Sequence, residues 1–181
     1  MVKTRGFTLI ELLVVMVIVA TLAGTVAVNL AGRDRERNLR TEAQRLALLI
    51  ELARDEAQLQ NQELGLRIDG SRYHFLRYDD REDAWEELDY APFTPREIEP
   101  FDLSVLVEQP AALRDRQNQE RDQDETSPFA RGNGMPQIFM FSSGEQTAFD
   151  ISVMAPDGWG LTAWAVSSDG LSRTRAERPE T

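Results

Sequence analysis

The sequence predicts an α+β protein: one long N-terminal helix, membrane-spanning in its first half, packed on an antiparallel β-sheet domain. Three observations carry this. An apolar run over 7–31 holds a single charge, Glu11. Apolar residues then recur at helical spacing as far as about residue 62. Beyond Gly65 the pattern changes to short runs bounded by turn residues, which is the signature of hairpin-linked strands.

The apolar run comes first. Residues 7–31 read FTLIELLVVMVIVATLAGTVAVNLA. About 20 apolar residues span a bilayer as a helix, so the length suffices. The many β-branched residues do not argue against helix in lipid, where every backbone group must bond internally. Lys3 and Arg5 are the only charges before Glu11, and no further charge appears until Arg33. A basic head before an apolar segment stays cytoplasmic and the following body is exported. From Arg33 onward the body carries 18 basic against 30 acidic residues, a net of −12, within a chain of net −11. Such a body repels phosphate backbones, so nucleic acid is excluded as a natural partner.

The amphipathic stretch is next along the chain. Leu39, Ala43, Leu46, Ile50, Ala53, Ala57 and Leu64 are spaced by three, four or seven residues, which aligns them on one helix face. Arg33 to Arg37 supplies a polar stretch where the helix would leave the bilayer, and no proline occurs before Pro92. Gly24 and Gly32 are points where the helix can loosen. Gly65 is the expected C-cap. The result is one helix from Phe7 to about Gln62, roughly 80 Å long at about 1.5 Å per residue. Its stripe is expected to pack on the protein's own sheet.

The sheet domain spans 65–181. Leu66–Ile68 and Tyr73–Tyr78 flank the turn Asp69-Gly70-Ser71 as a hairpin. Asp79 to Asp83 forms a charged turn leading to Trp85–Leu88, and Pro92, Pro95 and Pro100 interrupt the next stretch. Phe101–Val107, Gln137–Phe141, Ala148–Met154 and Leu161–Val166 are further strands, with turns at Ser142-Ser143-Gly144 and Pro156-Asp157-Gly158. Residues 109–134 are dominated by Gln, Arg, Asp, Glu and Asn and have little to bury, so a long mobile loop is expected there.

The N-terminal run admits two plain readings: a secretory signal peptide or a simple signal anchor. A signal peptide has an apolar core of about 7–15 residues followed by a small-x-small site. Thr21-Leu22-Ala23 fits such a site, but the run continues past it. Neither reading accounts for a carboxylate four residues into the run. A charge there costs up to about 3 kcal/mol at mid-bilayer and less near the edge, which makes it a functional feature by default.

The stretch Arg5-Gly6-Phe7-Thr8-Leu9-Ile10-Glu11-Leu12-Leu13-Val14-Val15 resembles the prepilin signature of type IV pilins and type II secretion pseudopilins. The resemblance implies a leader over 1–6, cleavage between Gly6 and Phe7 by a prepilin peptidase, and N-methylation of Phe7. It also implies that Glu11 pairs with the N-terminal amine of a neighbouring subunit and sets the register of assembly. The physics agrees: four helical residues rise about 6 Å, so Glu11 lies shallow, and a partner cation removes much of the cost of a carboxylate in lipid.

Further along, residues 42–57 (EAQRLALLIELARDEA), then Glu63 to Ile68, then Tyr73 to Tyr78, then Phe141-Ser142-Ser143-Gly144-Glu145-Gln146-Thr147-Ala148-Phe149, are similar to the H-type minor pseudopilin of type II secretion. This likeness spans nearly the whole chain except 109–134. It implies a type IV pilin-like fold and a subunit of the periplasmic pseudopilus, at or near its tip, that supports export of folded proteins. It also implies an inner-membrane anchor with the body in the periplasm. The partners implied are other minor pseudopilins, the major pseudopilin, the prepilin peptidase, the assembly platform and membrane lipid. A minor pilin of a type IV pilus has the same plan and stays open. Many type IV pilins carry a C-terminal disulfide loop, however, and this chain has no cysteine. A secreted or signal-anchored binding domain is the remaining alternative.

The inventory argues against catalysis, cofactor or metal. His74 is the only histidine and falls in an expected strand, where packing or a surface position is its ordinary role. One histidine and no cysteine cannot build a zinc site of the usual kinds. The only lysine is Lys3, in the leader. Asp79, Asp80, Glu82 and Asp83 could offer oxygens to calcium, but their spacing is not that of an EF-hand loop and a solvated turn is the plainer reading.

Overall fold

The computed structural model describes residues 9–107 and 135–179, and the side chains within them except 23–31. The expected loop 109–134 therefore lies outside the described residues. The chain divides into two units, 1–38 and 39–181. Helix α1, Leu9–Gln60, begins in the first and ends in the second.

Among the described residues the first unit is helix throughout. Its described apolar side chains, Leu9 to Leu22, are exposed on every side, from 48% for Val15 to 82% for Leu9. Among the described residues no helix is long and apolar enough to cross a membrane.

In the second unit the expected stripe is buried. Leu39, Ala43, Leu46, Ile50, Ala53 and Ala57 all lose their contact with solvent. Four alanines on the inner side, Ala43, Ala47, Ala53 and Ala57, let the sheets approach the helix closely, while Leu39, Leu46, Leu49 and Ile50 fill the gaps. Each large side chain buried here is worth about 1.5–3 kcal/mol.

Among the described residues two sheets take the place of the single one expected, and every pairing is antiparallel. The first comprises β1 (Leu64–Asp69), β2 (Arg72–Asp79), β3 (Ala84–Glu87), β4 (Arg96–Glu97) and β6 (Ile138–Met140). Its order is β3-β2-β1-β6, with β4 paired to the start of β2. The second comprises β5 (Asp102–Val107), β7 (Phe149–Met154), β8 (Trp164–Ser168) and β9 (Arg175–Glu177), in the order β5-β7-β8-β9. The expected hairpin is present, with Asp69 opposite Arg72 and Leu66 opposite Phe75. This register puts Leu64, Leu66, Ile68, Tyr73 and Phe75 on the buried face. Strand β7 alternates as a half-buried strand should, with Phe149, Ile151 and Val153 inside and Asp150 and Met154 at the surface.

Two expectations are corrected. Gly65 does not cap the helix, and Leu64 is not part of its stripe. Both belong to β1. The cap is Asn61, at φ 51°, with Gln62 N–H donating to the Ala57 carbonyl at 3.0 Å in a Schellman-type closure. Asparagine is one of the few residues other than glycine that enters this region readily. Gly65 serves close approach instead: a Cβ there would lie 2.5 Å from the Pro136 ring and 3.2 Å from the Trp85 indole. The second correction concerns the last long strand, which occupies 164–168 and not 161–166.

Candidate functional site

Of the residues singled out from the sequence, Gly6 and Phe7 lie outside the described residues. Glu11 sits in the first described turn of α1 and is exposed, among apolar neighbours that are themselves exposed. Leucines and valines that ring a helix have no core of their own. Such a helix requires lipid or other helices around it. Among the described side chains of 9–22, Glu11 is the one charged group on this apolar surface.

The second unit contributes a body fixed to the helix by polar clamps that sequence reasoning missed. Arg54 stands beside the apolar stripe and donates to three backbone carbonyls: Gly144 at 2.6 Å, Leu171 at 3.0 Å and Ser172 at 3.2 Å. One guanidinium thus ties the end of the first sheet and the end of the second to the helix. Its planar fork of five donors suits that task where lysine would not. Gly144 has φ 89°, and a Cβ there would lie 2.9 Å from the Gln58 amide. To either side of Arg54 along the chain, carboxylates complete the attachment. Glu51 accepts from Thr174 N–H at 2.7 Å, and Glu63 accepts from Ser142 N–H at 3.1 Å and its hydroxyl at 2.8 Å. Near the foot of the sheet domain Glu42 takes a two-pronged bond from Arg96, at 2.6 and 3.2 Å. That pairing holds the Arg96 guanidinium above its ordinary pKa.

The loop that receives Arg54 is organised by Asp169. Its carboxylate accepts from Leu171 N–H at 2.9 Å, Ser172 N–H at 2.6 Å and the Ser172 hydroxyl at 2.9 Å. These donors pull its pKa from 3.8 down to about 2. A carboxyl depressed by folding stabilises the native state fully above its unfolded value, and that contribution disappears as pH falls through the folded value. The native loop is therefore expected to loosen between about pH 4 and about pH 2. Chemical denaturation of the detergent-solubilised chain across that range checks this. The Asp169→Asn variant should show a flatter pH dependence there than the parent.

The charged turn between β2 and β3 is self-contained. Asp79 accepts from Arg81 N–H at 2.7 Å, which lowers its pKa, and Asp83 takes the Tyr78 hydroxyl, pushing the phenol up to about 12. Among the described residues no group of three or more acidic or histidine side chains is placed to hold a metal ion. His74 is buried in β2 with Nδ1 2.9 Å from Glu87 Oε2, a packing position within the sheet.

Comparison with known proteins adds to this geometry. Residues 1–27 match the prokaryotic N-terminal methylation motif, and residues 42–172 match the family described as type II transport protein GspH. The chain is 36% identical over 177 residues to type II secretion system protein H of Pseudomonas aeruginosa, covering 96% of both chains. It is 22% identical to the protein of the same name from Aeromonas hydrophila, over 98% of this chain and 96% of that one. In fold it is similar to the crystal structure of the minor pseudopilin EpsH of Vibrio cholerae, with a TM-score of 0.60 at 22% identity, over 81% of this chain and 97% of that one. The solution structure of GspH from Escherichia coli gives a TM-score of 0.52 at 18% identity, over 79% and 91% of the two chains.

Proposed function

The chain belongs to the GspH family of type II transport proteins, and on that premise we infer that it works as a minor pseudopilin, a subunit of the type II secretion pseudopilus anchored by its N-terminal segment. The observation that carries this reading is the coincidence of a Gly6-Phe7 junction, a carboxylate at Glu11 and a helix end whose apolar side chains are exposed all round.

In this reading the leader 1–6 stays in the cytoplasm and is removed by the prepilin peptidase between Gly6 and Phe7. Phe7 becomes the methylated N-terminus. Residues 7–31 hold the subunit in the inner membrane, and the body from residue 32 onward stands in the periplasm. On extraction into the filament the same apolar surface passes from lipid to neighbouring helices. That exchange costs little, because lipid tails and leucine side chains are equally apolar. Direction and register then come from Glu11, whose carboxylate is relieved by the N-terminal amine of a neighbour. Other minor pseudopilins, the major pseudopilin and the inner-membrane assembly platform are the partners, and export of folded proteins across the outer membrane is the outcome.

Glu11→Ala tests this. The variant should be cut and inserted normally yet fail to enter the filament, and exoprotein secretion should fall with it. Secretion and pulldown of the filament measure both. Incorporation at the parent level would remove the role assigned to Glu11. Deletion of the whole chain separates the systems: loss of secretion supports the pseudopilus, whereas loss of twitching or DNA uptake with secretion intact supports a type IV pilus.

A further inference from the structure

At the far end of α1, where the helix gives way to β1, the body holds a cleft of about 450 Å³. That size lies within the range of about 300–1,000 Å³ usual for ligand clefts. Asn61 and Gln62 line it from the helix end, Arg77, Tyr78 and Arg81 from β2 and its turn, and Ser142 from the stretch after β6.

Most charges around the cleft are already engaged. Glu63 accepts from Ser142, Arg77 donates to Glu86 at 3.0 Å, and the Asp79 carboxylate holds its own turn. Two arginines stand against Glu63, Asp79 and Asp80, so the lining is close to balance and selects neither an anion nor a cation. Four lining groups make no side-chain hydrogen bond among the described residues: the Asn61 and Gln62 amides, the Asp80 carboxylate and the Arg81 guanidinium. Together they offer donors and acceptors side by side.

One wall is aromatic. Tyr78 lines the cleft and stands opposite Trp85 across the β2–β3 pair, with ring centroids 5.3 Å apart. Trp85 meets Phe139 at 5.6 Å, and Phe139 lies parallel to Phe141 at 6.3 Å. Gly65 permits this row. It pairs with Phe139 in the β1–β6 ladder, and its missing side chain leaves room for the indole between them. The row returns to the cleft at its other end, because Phe141 precedes Ser142. All four residues stay partly exposed, Phe141 at 36%.

We propose that the cleft and its aromatic wall bind a carbohydrate, a chain of β-linked pyranose rings. A pyranose presents C–H groups on its faces, which lie against aromatic rings, and hydroxyls at its rim, each of which donates and accepts. A neutral chain of such rings suits a lining of balanced charge, and it can run from the polar cleft along the row of rings. Binding of this kind uses residues of the body alone and does not depend on filament assembly.

Calorimetric titration of the full chain, in a detergent without a sugar headgroup, tests this with chitohexaose and cellohexaose as probes. Saturable binding of at least one is expected, with a Kd of about 1 mM or tighter. Preference for chitohexaose assigns an amino-sugar chain, and equal or reversed preference assigns a plain glucan; either supports the site. The Asn61→Gly/Arg81→Ala pair should weaken binding at least about tenfold. Glycine retains the left-handed cap that Asn61 forms, and Arg81 serves its turn through its backbone N–H, so the fold should be kept. A second readout needs no variant: in the NMR spectrum of the parent, the Trp85 indole signal should shift on titration while those of Trp159 and Trp164 stay. Lack of saturable binding to both sugars would overturn the proposal, as would parent-level binding by the pair or a shift confined to Trp159 and Trp164. Binding of whole cell-wall sacculi without either oligosaccharide would place the contact on peptide and overturn it too.

Discussion

Phe75→Ala should destabilise the sheet domain by about 3–5 kcal/mol, enough to remove much of the stability of an ordinary domain. Phe75 is fully buried in β2, opposite Leu66, on the face that packs against α1. Its ring meets Tyr73 edge-on at 6.1 Å and tilts against Phe93 at 5.1 Å. Truncation removes both contacts and opens a cavity between two rigid sheets and a helix, which have little room to collapse inward. The backbone adds to the effect, because Leu88 N–H donates to the Phe75 carbonyl at 2.8 Å and depends on β2 holding its place. Thermal unfolding of the detergent-solubilised chain should show a fall of at least about 6 °C, taking about 2–4 °C per kcal/mol for a chain of this size. A variant within about 0.5 kcal/mol of the parent would contradict a core centred on this ring.

Arg54→Ala should cost about 2–3 kcal/mol, with a Tm lowered by roughly 5–10 °C. Three carbonyls lose a charged donor at once: those of Gly144, Leu171 and Ser172. The Gly144 bond is half-buried and dominates the loss, whereas water can replace part of the other two. Arg54→Lys should recover only a minor share, since an ammonium on a flexible stem does not span two loops in one plane. Hydrogen exchange supplies the local signature. The amides of 142–146 and 169–174 should exchange faster in Arg54→Ala while those of β1 and β2 hardly change. Uniform acceleration across both sheets would mean that Arg54 supports the whole fold and not these loops.

The two predictions draw on features of unequal visibility in the sequence. Phe75 belongs to a Tyr- and Phe-rich run placed across the turn Asp69-Gly70-Ser71 from Leu66–Ile68, which marks it as a hairpin strand, and the helical stripe from Leu39 to Ala57 is plain from spacing alone. Both patterns are made by side chains, and side chains are what a sequence records. Arg54 is not legible in the same way. Its partners are backbone carbonyls about 90 to 118 residues away, and a carbonyl has no letter of its own. The short strands β4 and β9 escape for a similar reason. Arg96–Glu97 and Arg175–Glu177 hold no periodic apolar pattern and exist because β2 and β8 offer them an edge. Gly65 misleads because helix caps and close backbone approaches both select glycine, and only the positions of Pro136 and Trp85 decide between them. The site obeys the same rule. Glu11 stands out as a lone charge in an apolar run, a feature made by side chains and so recorded in the sequence.

The clamps also bear on how the subunit would be moved. A filament subunit drawn from the membrane by its helix transmits that displacement to the body through the helix–sheet contact. Buried alanines and leucines supply adhesion but little direction. Arg54, Glu51, Glu63 and the Glu42–Arg96 pair fix the helix axially against both sheets, at points spread from near the start of the sheet domain's helix half to just past its cap. Charged and directional bonds resist sliding in a way that apolar contact does not.

Processing of the first residues is tested most directly by mass spectrometry of the mature chain isolated from its own cells. The account predicts an N-terminus at Phe7 carrying one methyl group, with Gly6 and the leader absent. A mature chain that begins near Gly24, or one that retains the leader, would contradict it.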